Sequence, residues 1–153
     1  MSRAWIAGPD EADAVARLLI EFRDWYGRDQ PPDAAFHDGV RRLIARDDTE
    51  YALAAAGDDP GGVCRLRYRY GLWMAAEDCW LEDLFVRERD RRNGLGRILV
   101  ERAIERARER GCGRIELDVS ESNRAAWALY ESAGFSAGYK PPAPNVLMGL
   151  RLR

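Results

Sequence analysis

Two glycines separated by one residue precede a stretch with helical periodicity, and this arrangement predicts an anion-binding turn. They are Gly94 and Gly96 in the segment RRNGLGRILVERA, residues 91–103. Backbone N–H groups in the first turn of a helix have no partner within the helix and carry the positive end of the helix dipole. Glycine lets an anion approach these groups without meeting a Cβ atom. The expected ligand is therefore a phosphate or a pyrophosphate.

The residues around the glycines do not fit the two commonest phosphate-binding loops. A Walker A loop requires Gly-Lys-Ser/Thr, whereas Arg97 and Ile98 follow Gly96. The dinucleotide fingerprint requires a third glycine near Leu99 and an N-terminal βαβ unit, and the sequence has neither. The pattern that remains is Arg-x-x-Gly-x-Gly. A purely structural turn at a helix start stays open as the alternative.

The elements around this turn predict a mixed α/β layer structure. Hydrophobic periodicity gives the order β-α-α-β-β-β-α-β-α-β-β, which contains about seven strands. VCRLRYRYGLW and CWLEDLFV should form an antiparallel hairpin. We expect one helix from about Gly94 to Arg110 and a shorter one from Asn123, as its N-cap, to Gly134. FSAGY and NVLMGLRL should close the chain as two strands.

The composition predicts a single domain, residues 1–153, that holds no metal. The chain has a net charge of −2, which argues against nucleic acid or an anionic membrane as its partner. Its three cysteines and one histidine are widely spaced, so we expect neither a zinc site nor a disulfide framework. The first residues lack the apolar core of a signal peptide, and no apolar run approaches the ~20 residues that span a bilayer. A cytoplasmic location is expected.

The region from about Trp80 to Tyr139 resembles the GNAT superfamily of acyl-CoA-dependent N-acetyltransferases. The resemblance rests on LEDLFVRERDRRNGLGRILVERAIERARERG followed by NRAAWALYESAGF. It implies the GNAT fold, a mixed and mostly antiparallel sheet of about seven strands flanked by helices, with acetyl-CoA as cosubstrate. The LED stretch is similar to the diamine and polyamine branch. The residues before Trp80 carry no motif of the family, and the resemblance does not specify an acceptor.

The resemblance implies a coenzyme site along one strand, the glycine turn and the last helix. The strand residues whose main chain would run beside the pantetheine arm are Leu84, Phe85 and Val86. The residues that would hold the pyrophosphate are Arg91, Arg92, Asn93, Gly94, Leu95 and Gly96, with Arg97 at the edge. Asn123 matches a position that commonly contacts the pantetheine region. Its alternative role is that of a helix N-cap alone.

Tyr130 matches the family's tyrosine that lies near the coenzyme sulfur and can protonate the departing thiolate. The ordinary pKa values of a phenol and a thiol, roughly 10 and 8.5, are close enough for a short proton transfer. The alternative is a core tyrosine on an amphipathic helix, beside Trp127 and Leu129.

Glu82 and Asp83 are the candidates for the base that takes a proton from the attacking amine. Strand alternation predicts that they point to opposite faces of the sheet, with Glu82 beside Leu84 and Val86, and Asp83 beside Leu81 and Phe85. The similarity of LED to the polyamine branch favours Glu82. The alternative is a carboxylate paired across the hairpin with an arginine, namely Arg65, Arg67 or Arg69.

The predicted activity is transfer of an acetyl group from acetyl-CoA directly to a primary amine, with the oxyanion held by a strand amide near Val86. The acceptor is a small-molecule or a protein amine. Aromatic residues could line its pocket, with core or lid packing as the alternative: Trp25, Tyr26, Phe36 and Trp73. The C-terminal strands could pair two subunits into a homodimer. The alternative function is a non-catalytic acyl-CoA-binding or regulatory module on the same fold.

Overall fold

The computed structural model describes residues 1–137 and 147–153, which form a five-stranded sheet with helices on both faces. The strands are β1 (Arg3–Ile6), β2 (Thr49–Ala55), β3 (Gly62–Gly71), β4 (Ala76–Val86) and β5 (Arg114–Glu116). The helices are α1 (Ala12–Trp25), α2 (Asp33–Ile44), α3 (Leu95–Glu109) and α4 (Arg124–Ser132). The strands lie in the sheet in chain order, antiparallel from β1 to β4, and β5 runs parallel to β4. The mixed, mostly antiparallel α/β class is therefore confirmed.

The number of strands differs from the expected seven. In the described residues there are five, and β5 ends at Glu116. Two of the expected strands do not form in the part of the chain that is described. Residues 135–137 of FSAGY and residues 147–152 of NVLMGLRL are not in a strand, and the other residues of both segments lie outside the described part. A sequence that alternates apolar and polar residues forms a strand only where a partner strand lies beside it. The apolar side chains of residues 147–152 are instead 83–96% exposed. Subunit pairing through this segment stays a prediction.

Two hydrophobic cores lie on opposite faces of the sheet. α1 and α2 pack on one face against side chains of β2, β3 and β4: Tyr51, Leu53, Val63 and Phe85. α3 packs on the other face against the alternate side chains of the same strands: Ala52, Ala54, Cys64, Leu66, Cys79 and Leu81. β2 is therefore buried on both faces, as its nearly continuous apolar run requires, whereas β3 and β4 also carry charged residues. We call the two sides the α1–α2 face and the α3 face.

A β-bulge interrupts the β3–β4 hairpin. Val63 pairs with Phe85 and Arg65 pairs with Glu82, so that Cys64 alone opposes two residues of β4, Asp83 and Leu84. Asp83 adopts a φ of 54°, in the left-handed region that Asp and Asn tolerate better than most residues.

The bulge reverses the alternation of side chains along β4. Leu81 before the bulge and Leu84 and Val86 after it all pack in the core of the α3 face, while Phe85 packs on the α1–α2 face. Glu82 follows Leu81 in regular strand and opposes Arg65, so it points to the α1–α2 face. The expectation that Glu82 shares a face with Leu84 and Val86 is wrong, because strict alternation does not survive an inserted residue.

β4 and β5 pair over only three residues of each strand. The pairs are Asp78 with Arg114, Cys79 with Ile115, and Trp80 with Glu116. Beyond Trp80, β4 continues to Val86 with no strand of the described chain beside it on that edge. We call the gap between β4 residues 81–86 and the chain after Glu116 the β4–β5 split. No helix in the described residues is long and apolar enough to cross a membrane.

We expect Leu99→Ala to lower the free energy of unfolding by about 2–5 kcal/mol. Leu99 is fully buried between α3 and the sheet, so the substitution removes apolar contacts and leaves a cavity beneath the helix that carries the glycine turn. Urea unfolding followed by circular dichroism measures the loss. Glu105→Ala on the exposed side of α3 serves as the control, with a change within about 0.5 kcal/mol. Equal losses in both variants would contradict the packing of this helix.

Candidate active site

The predicted anion-binding turn lies at the start of α3. Gly94 is the N-cap, with φ 73° and ψ 14°, and its carbonyl accepts a hydrogen bond from Ile98 N–H at 3.1 Å. A left-handed residue followed by helical residues makes a concave row of N–H groups. No side chain caps this helix among the residues described, and its first turn contains no acidic residue. The first-turn amides of α3 are therefore available to an anion.

The two glycines are required for different reasons. A Cβ atom on Gly94 would meet nothing within 4 Å, so glycine there serves the left-handed conformation. A Cβ atom on Gly96 would lie 3.3 Å from Leu129 Cδ2 and 3.9 Å from Val86 Cγ2. Gly96 therefore lets α3 pack closely against α4 and the end of β4, which is a structural reason that the sequence pattern did not reveal.

The arginines at the turn have different partners. Arg91 Nε donates to the carbonyl of Val86 at 3.0 Å, and its guanidinium lies 5.3 Å from the centre of the Trp25 ring. Arg97 pairs with Glu101 at 2.9 Å and donates to Ser132 Oγ at 3.2 Å.

Arg92 is exposed and has no ion pair within residues 1–137 and 147–153. The Asn93 side chain donates to the carbonyl of Asp90 at 3.3 Å. Of the arginines of the Arg-x-x-Gly-x-Gly segment and Arg97, Arg92 is thus the one without a protein partner in the described chain.

The end of β4 presents to the β4–β5 split main-chain groups that no strand of the described chain uses, and of these the Val86 carbonyl accepts from Arg91 Nε. Phe85 pairs with Val63 across the hairpin, and Arg87 N–H donates to the carbonyl of Gly61 at 2.8 Å. Because hydrogen-bond directions alternate along a strand, the N–H and C=O groups of Leu84 and Val86 point to the opposite edge, where β5 has ended. Phe85 differs from both, since its main chain bonds to β3.

Tyr130 is buried on α4, with 9% of the residue exposed, and its neighbour Leu129 packs beside Gly96 and Val86 at the end of β4. Burial raises the pKa of Tyr130 to about 12, and the Cys64 thiol and the Asp118 carboxylate add to this effect. The Tyr130 hydroxyl has no hydrogen-bond partner in the described part of the chain. The phenol therefore stays protonated up to high pH and is available to donate.

Asn123 begins α4 as expected. Its side-chain oxygen accepts a hydrogen bond from Ala126 N–H at 3.2 Å, which is the N-cap interaction. Its contact with a coenzyme stays a prediction.

Glu82 is held between two guanidinium groups on the α1–α2 face. Its Oε1 lies 2.6 Å from Arg67 Nε and 3.2 Å from Arg65 Nη1, and Arg67 Nη2 donates to Oε2 at 3.1 Å. The cross-hairpin ion pair considered as the alternative for Glu82 is therefore present, and its role as a base stays a prediction.

Asp83 has a different environment from its neighbour. It is exposed at the bulge and makes no hydrogen bond or ion pair with any described residue. Burial of its surroundings raises the pKa of Asp83, and the charge of Glu82 raises it further, while Arg65 and Arg67 oppose the shift.

An aromatic cluster joins the end of α1 to β4. Phe22 stacks on Phe85 with ring centres 5.0 Å apart, and Tyr26 lies 5.0 Å and Trp25 6.5 Å from Phe22. Trp25 and Tyr26 are 54% and 62% exposed, and Trp73 lies on the β3–β4 turn, 98% exposed. Trp25 and Tyr26 were expected at a pocket and Phe22 was not, although its spacing of three and four residues from them on one helix indicates a shared face.

No group of three or more metal-ligating side chains occurs among residues 1–137 and 147–153. The site as built consists of main-chain donors, a protonated phenol, two carboxylates and an aromatic wall. Such a set can hold a phosphate-bearing chain, stabilise an oxyanion and move protons.

Comparison with known proteins identifies the family. Residues 14–135 match the model of the Acetyltransferase (GNAT) family. Thialysine N-epsilon-acetyltransferase of Caenorhabditis elegans is 28% identical over 127 residues, which cover 83% of this chain and 78% of that protein. Streptothricin acetyltransferase of Streptomyces lavendulae is 30% identical over 105 residues, which cover 69% of this chain but only 54% of that protein.

The fold comparison agrees with this family. The crystal structure of a probable acetyltransferase superposes with a TM-score of 0.85 at 24% identity and covers 97% of this chain and 98% of its own. The chain belongs to the Acetyltransferase (GNAT) family and is an acyltransferase.

We expect Gly94→Ala to lower the free energy of unfolding by about 1–2 kcal/mol. The added methyl group meets no atom within 4 Å, so the loss comes from the left-handed conformation that glycine adopts freely and alanine does not. Gly57→Ala is the matched control, because a Cβ atom there also meets nothing and its φ is not in the left-handed region. Urea unfolding of both variants checks this. Equal stability changes would contradict the conformation of the turn.

The raised pKa of Tyr130 predicts a loss of stability at alkaline pH. An unfolded tyrosine loses its proton near pH 10, whereas the folded Tyr130 keeps it to about pH 12. Stability is therefore unaffected by this group below pH 10 and falls by about 1.4 kcal/mol per pH unit between the two values. Tyr51 and Tyr68 also have raised pKa values and add their own slopes. Urea unfolding from pH 9 to 12 should show a slope smaller by this amount in Tyr130→Phe, and an unchanged slope would contradict the burial of the phenol.

Proposed function

We propose that this chain transfers the acetyl group of acetyl-CoA directly to a primary amine. The observation that carries the proposal is that α4, with the buried phenol of Tyr130, packs through Leu129 beside Val86 of β4 and Gly96 at the uncapped start of α3. A diphosphate at the turn and an acyl thioester in the split would fit this arrangement.

The residues present fit coenzyme A. The first-turn amides of α3 and the exposed Arg92 supply positive charge for a pyrophosphate. The free main-chain edge at Leu84 and Val86 can hydrogen-bond the amide groups of a pantetheine arm in the way that a neighbouring strand would. When bound, acetyl-CoA supplies the acyl group in activated form as a thioester.

Each catalytic task has a candidate residue in the chain. The Val86 N–H at the free strand edge is available to stabilise negative charge on a carbonyl oxygen. Tyr130 holds its proton to about pH 12 and can donate it to a leaving sulfur. Glu82 and Asp83 on β4 are the candidates to take the proton of the ammonium group. No covalent intermediate on the protein is needed, and burial raises the pKa of both Cys64 and Cys79 to about 12, which makes them poor nucleophiles.

A small-molecule amine is the acceptor class that we favour. One relative is named for the ε-amine of thialysine, and another for streptothricin. Trp25 and Tyr26 expose aromatic faces near the end of β4, where an organic cation would be attracted to them. A protein amine is the second acceptor class.

One observation favours a different function. The pairing of Glu82 with Arg65 and Arg67 occupies the carboxylate that the sequence analysis favoured as base. A non-catalytic module that binds acyl-CoA on the same fold would tolerate this pairing. Such a module predicts that acetyl-CoA raises the melting temperature while no thiol is released with any amine.

We expect Tyr130→Phe to lower the rate of amine-dependent thiol release by about 10²–10⁴-fold, because the leaving sulfur loses its proton donor. The measurement is thiol release from acetyl-CoA against a panel of small amines. Tyr70→Phe on the exposed end of β3 is the matched control and should keep the rate. Thermal shifts with acetyl-CoA should stay similar in all three proteins. An unchanged rate in Tyr130→Phe would remove this residue from the mechanism.

A further inference from the structure

Two adjacent carboxylates at the bulge of β4 have opposite electrostatic surroundings. We propose that Asp83, and not Glu82, accepts the proton of the acceptor ammonium group, while Glu82 is a positioning residue held as an anion by Arg65 and Arg67. This inference deepens the proposed function and rests on it.

Glu82 forms ion pairs with two arginines across the hairpin. Its Oε1 lies in ion pairs with Arg67 Nε at 2.6 Å and with Arg65 Nη1 at 3.2 Å, and its Oε2 accepts a hydrogen bond from Arg67 Nη2 at 3.1 Å. Charge-assisted pairs of this kind favour the ionised carboxylate. One of the two guanidinium groups, that of Arg65, also has a buried Nε with no hydrogen-bond partner in the described chain. The two arginines of β3 therefore hold the Glu82 carboxylate in position.

Asp83 has none of the ion pairs that hold Glu82 among the described residues. Its exposed carboxylate has no ion pair within the described residues, and it lies at the inserted position of the bulge. The left-handed φ of 54° takes the residue out of the regular strand direction. Bulges beside active sites commonly re-aim a side chain in this way. The next residue, Leu84, directs its main chain into the β4–β5 split, so Asp83 is adjacent to the edge at which the thioester is proposed to bind.

The charged and titratable groups around Asp83 favour proton uptake. Those on its own strand, on the adjacent strand β3 and on β2 beyond it are Glu82, Arg65, Arg67, Tyr51 and Cys64. The pKa values of the Tyr51 phenol and the Cys64 thiol are both raised to about 12, so both groups are neutral near pH 7. Desolvation raises the pKa of Asp83, and the negative charge of Glu82 raises it further, while Arg65 and Arg67 lower it without cancelling the rise. A carboxylate with a raised pKa is the better base.

The proposed reaction balances in protons and electron pairs. Asp83 takes one proton from the ammonium group, and the freed nitrogen lone pair forms the C–N bond to the acetyl carbonyl carbon. The C–S bond breaks, and the sulfur takes the electron pair and the proton of Tyr130. The nitrogen loses its second proton to water as the amide forms, Asp83 returns its proton to the Tyr130 phenolate, and the net result is one amide, one thiol and one released proton per turnover.

The experiment is the pH profile of kcat/KM for the wild-type protein and three variants. We expect Asp83→Asn to lower kcat/KM by about 10²–10⁴-fold at neutral pH and to lose the acid limb of the profile. Asparagine tolerates the left-handed conformation as well as aspartate does, so the bulge should persist. Asp58→Asn in the β2–β3 turn is the matched control, since Asp58 is exposed and unpaired among the described residues, and its profile should equal that of the wild type.

Glu82→Gln provides a test with a definite sign. Removal of its charge takes away the repulsion that raises the pKa of Asp83 and frees two cations beside it. The acid limb should therefore move to lower pH. Carboxyl NMR titration of the free protein, with the Asp83 signal assigned by Asp83→Asn, should give a pKa above the ordinary aspartate value of about 3.9 and a lower one in Glu82→Gln.

The outcomes separate this inference from the proposed function. An acid limb that is lost in Glu82→Gln and kept in Asp83→Asn would make Glu82 the base and leave acetyl transfer intact. An Asp83 pKa at or below the ordinary value would also overturn the assignment. If the wild type releases no thiol with any amine, the proposed function and the role of Asp83 fail together.

Discussion

The site depends on one feature of the sheet, which is that β4 has a partner on only one edge over its last residues. A strand in the middle of a sheet satisfies its main-chain groups on both edges. β5 ends after three paired residues, and the second edge of β4 is then left with N–H and C=O groups that no strand of the described chain uses. Open edges of this kind are ready-made binding surfaces for an extended ligand. The α3 turn and the helix that carries Tyr130 both lie beside the end of β4.

Contacts on both faces of the sheet hold the end of β4 in place. On the α3 face, Gly96 lets the start of α3 pack against Val86 and Leu129, which sets the turn next to β4. On the α1–α2 face, Arg87 binds Glu21 of α1 through two hydrogen bonds of 2.7 and 2.9 Å. A bidentate pair of this kind holds orientation as well as distance. The end of β4 is therefore anchored from both sides, which suits a strand whose outer edge must stay open.

The sequence predicted the helices and the hairpin well because the residues at their own ends determine where they begin and end. Gly94 and Gly111 bracket α3, and Asn123 and Gly134 bracket α4; all three glycines have positive φ, and Asn123 caps its helix. The turn at α3 was found for the same reason. The bulge was not, because nothing in CWLEDLFV shows where the register against β3 shifts. The alternating pattern also predicted too many strands, because a strand needs a partner strand and strand pairing depends on the whole sheet.

The consequence of the missed bulge is chemical. On a regular strand, adjacent carboxylates point to opposite faces and interact weakly. In this chain both Glu82 and Asp83 contribute to the raised pKa of Tyr51, and Glu82 raises the pKa of Asp83, so the two carboxylates act on one neighbourhood. Of the two, Glu82 alone has cation partners among the described residues. Arg65 and Arg67 are those partners, and they come from β3 opposite Glu82. The choice of base in a Leu-Glu-Asp segment therefore depends on the strand register and on the residues of the partner strand. Neither of these can be read from the three residues themselves.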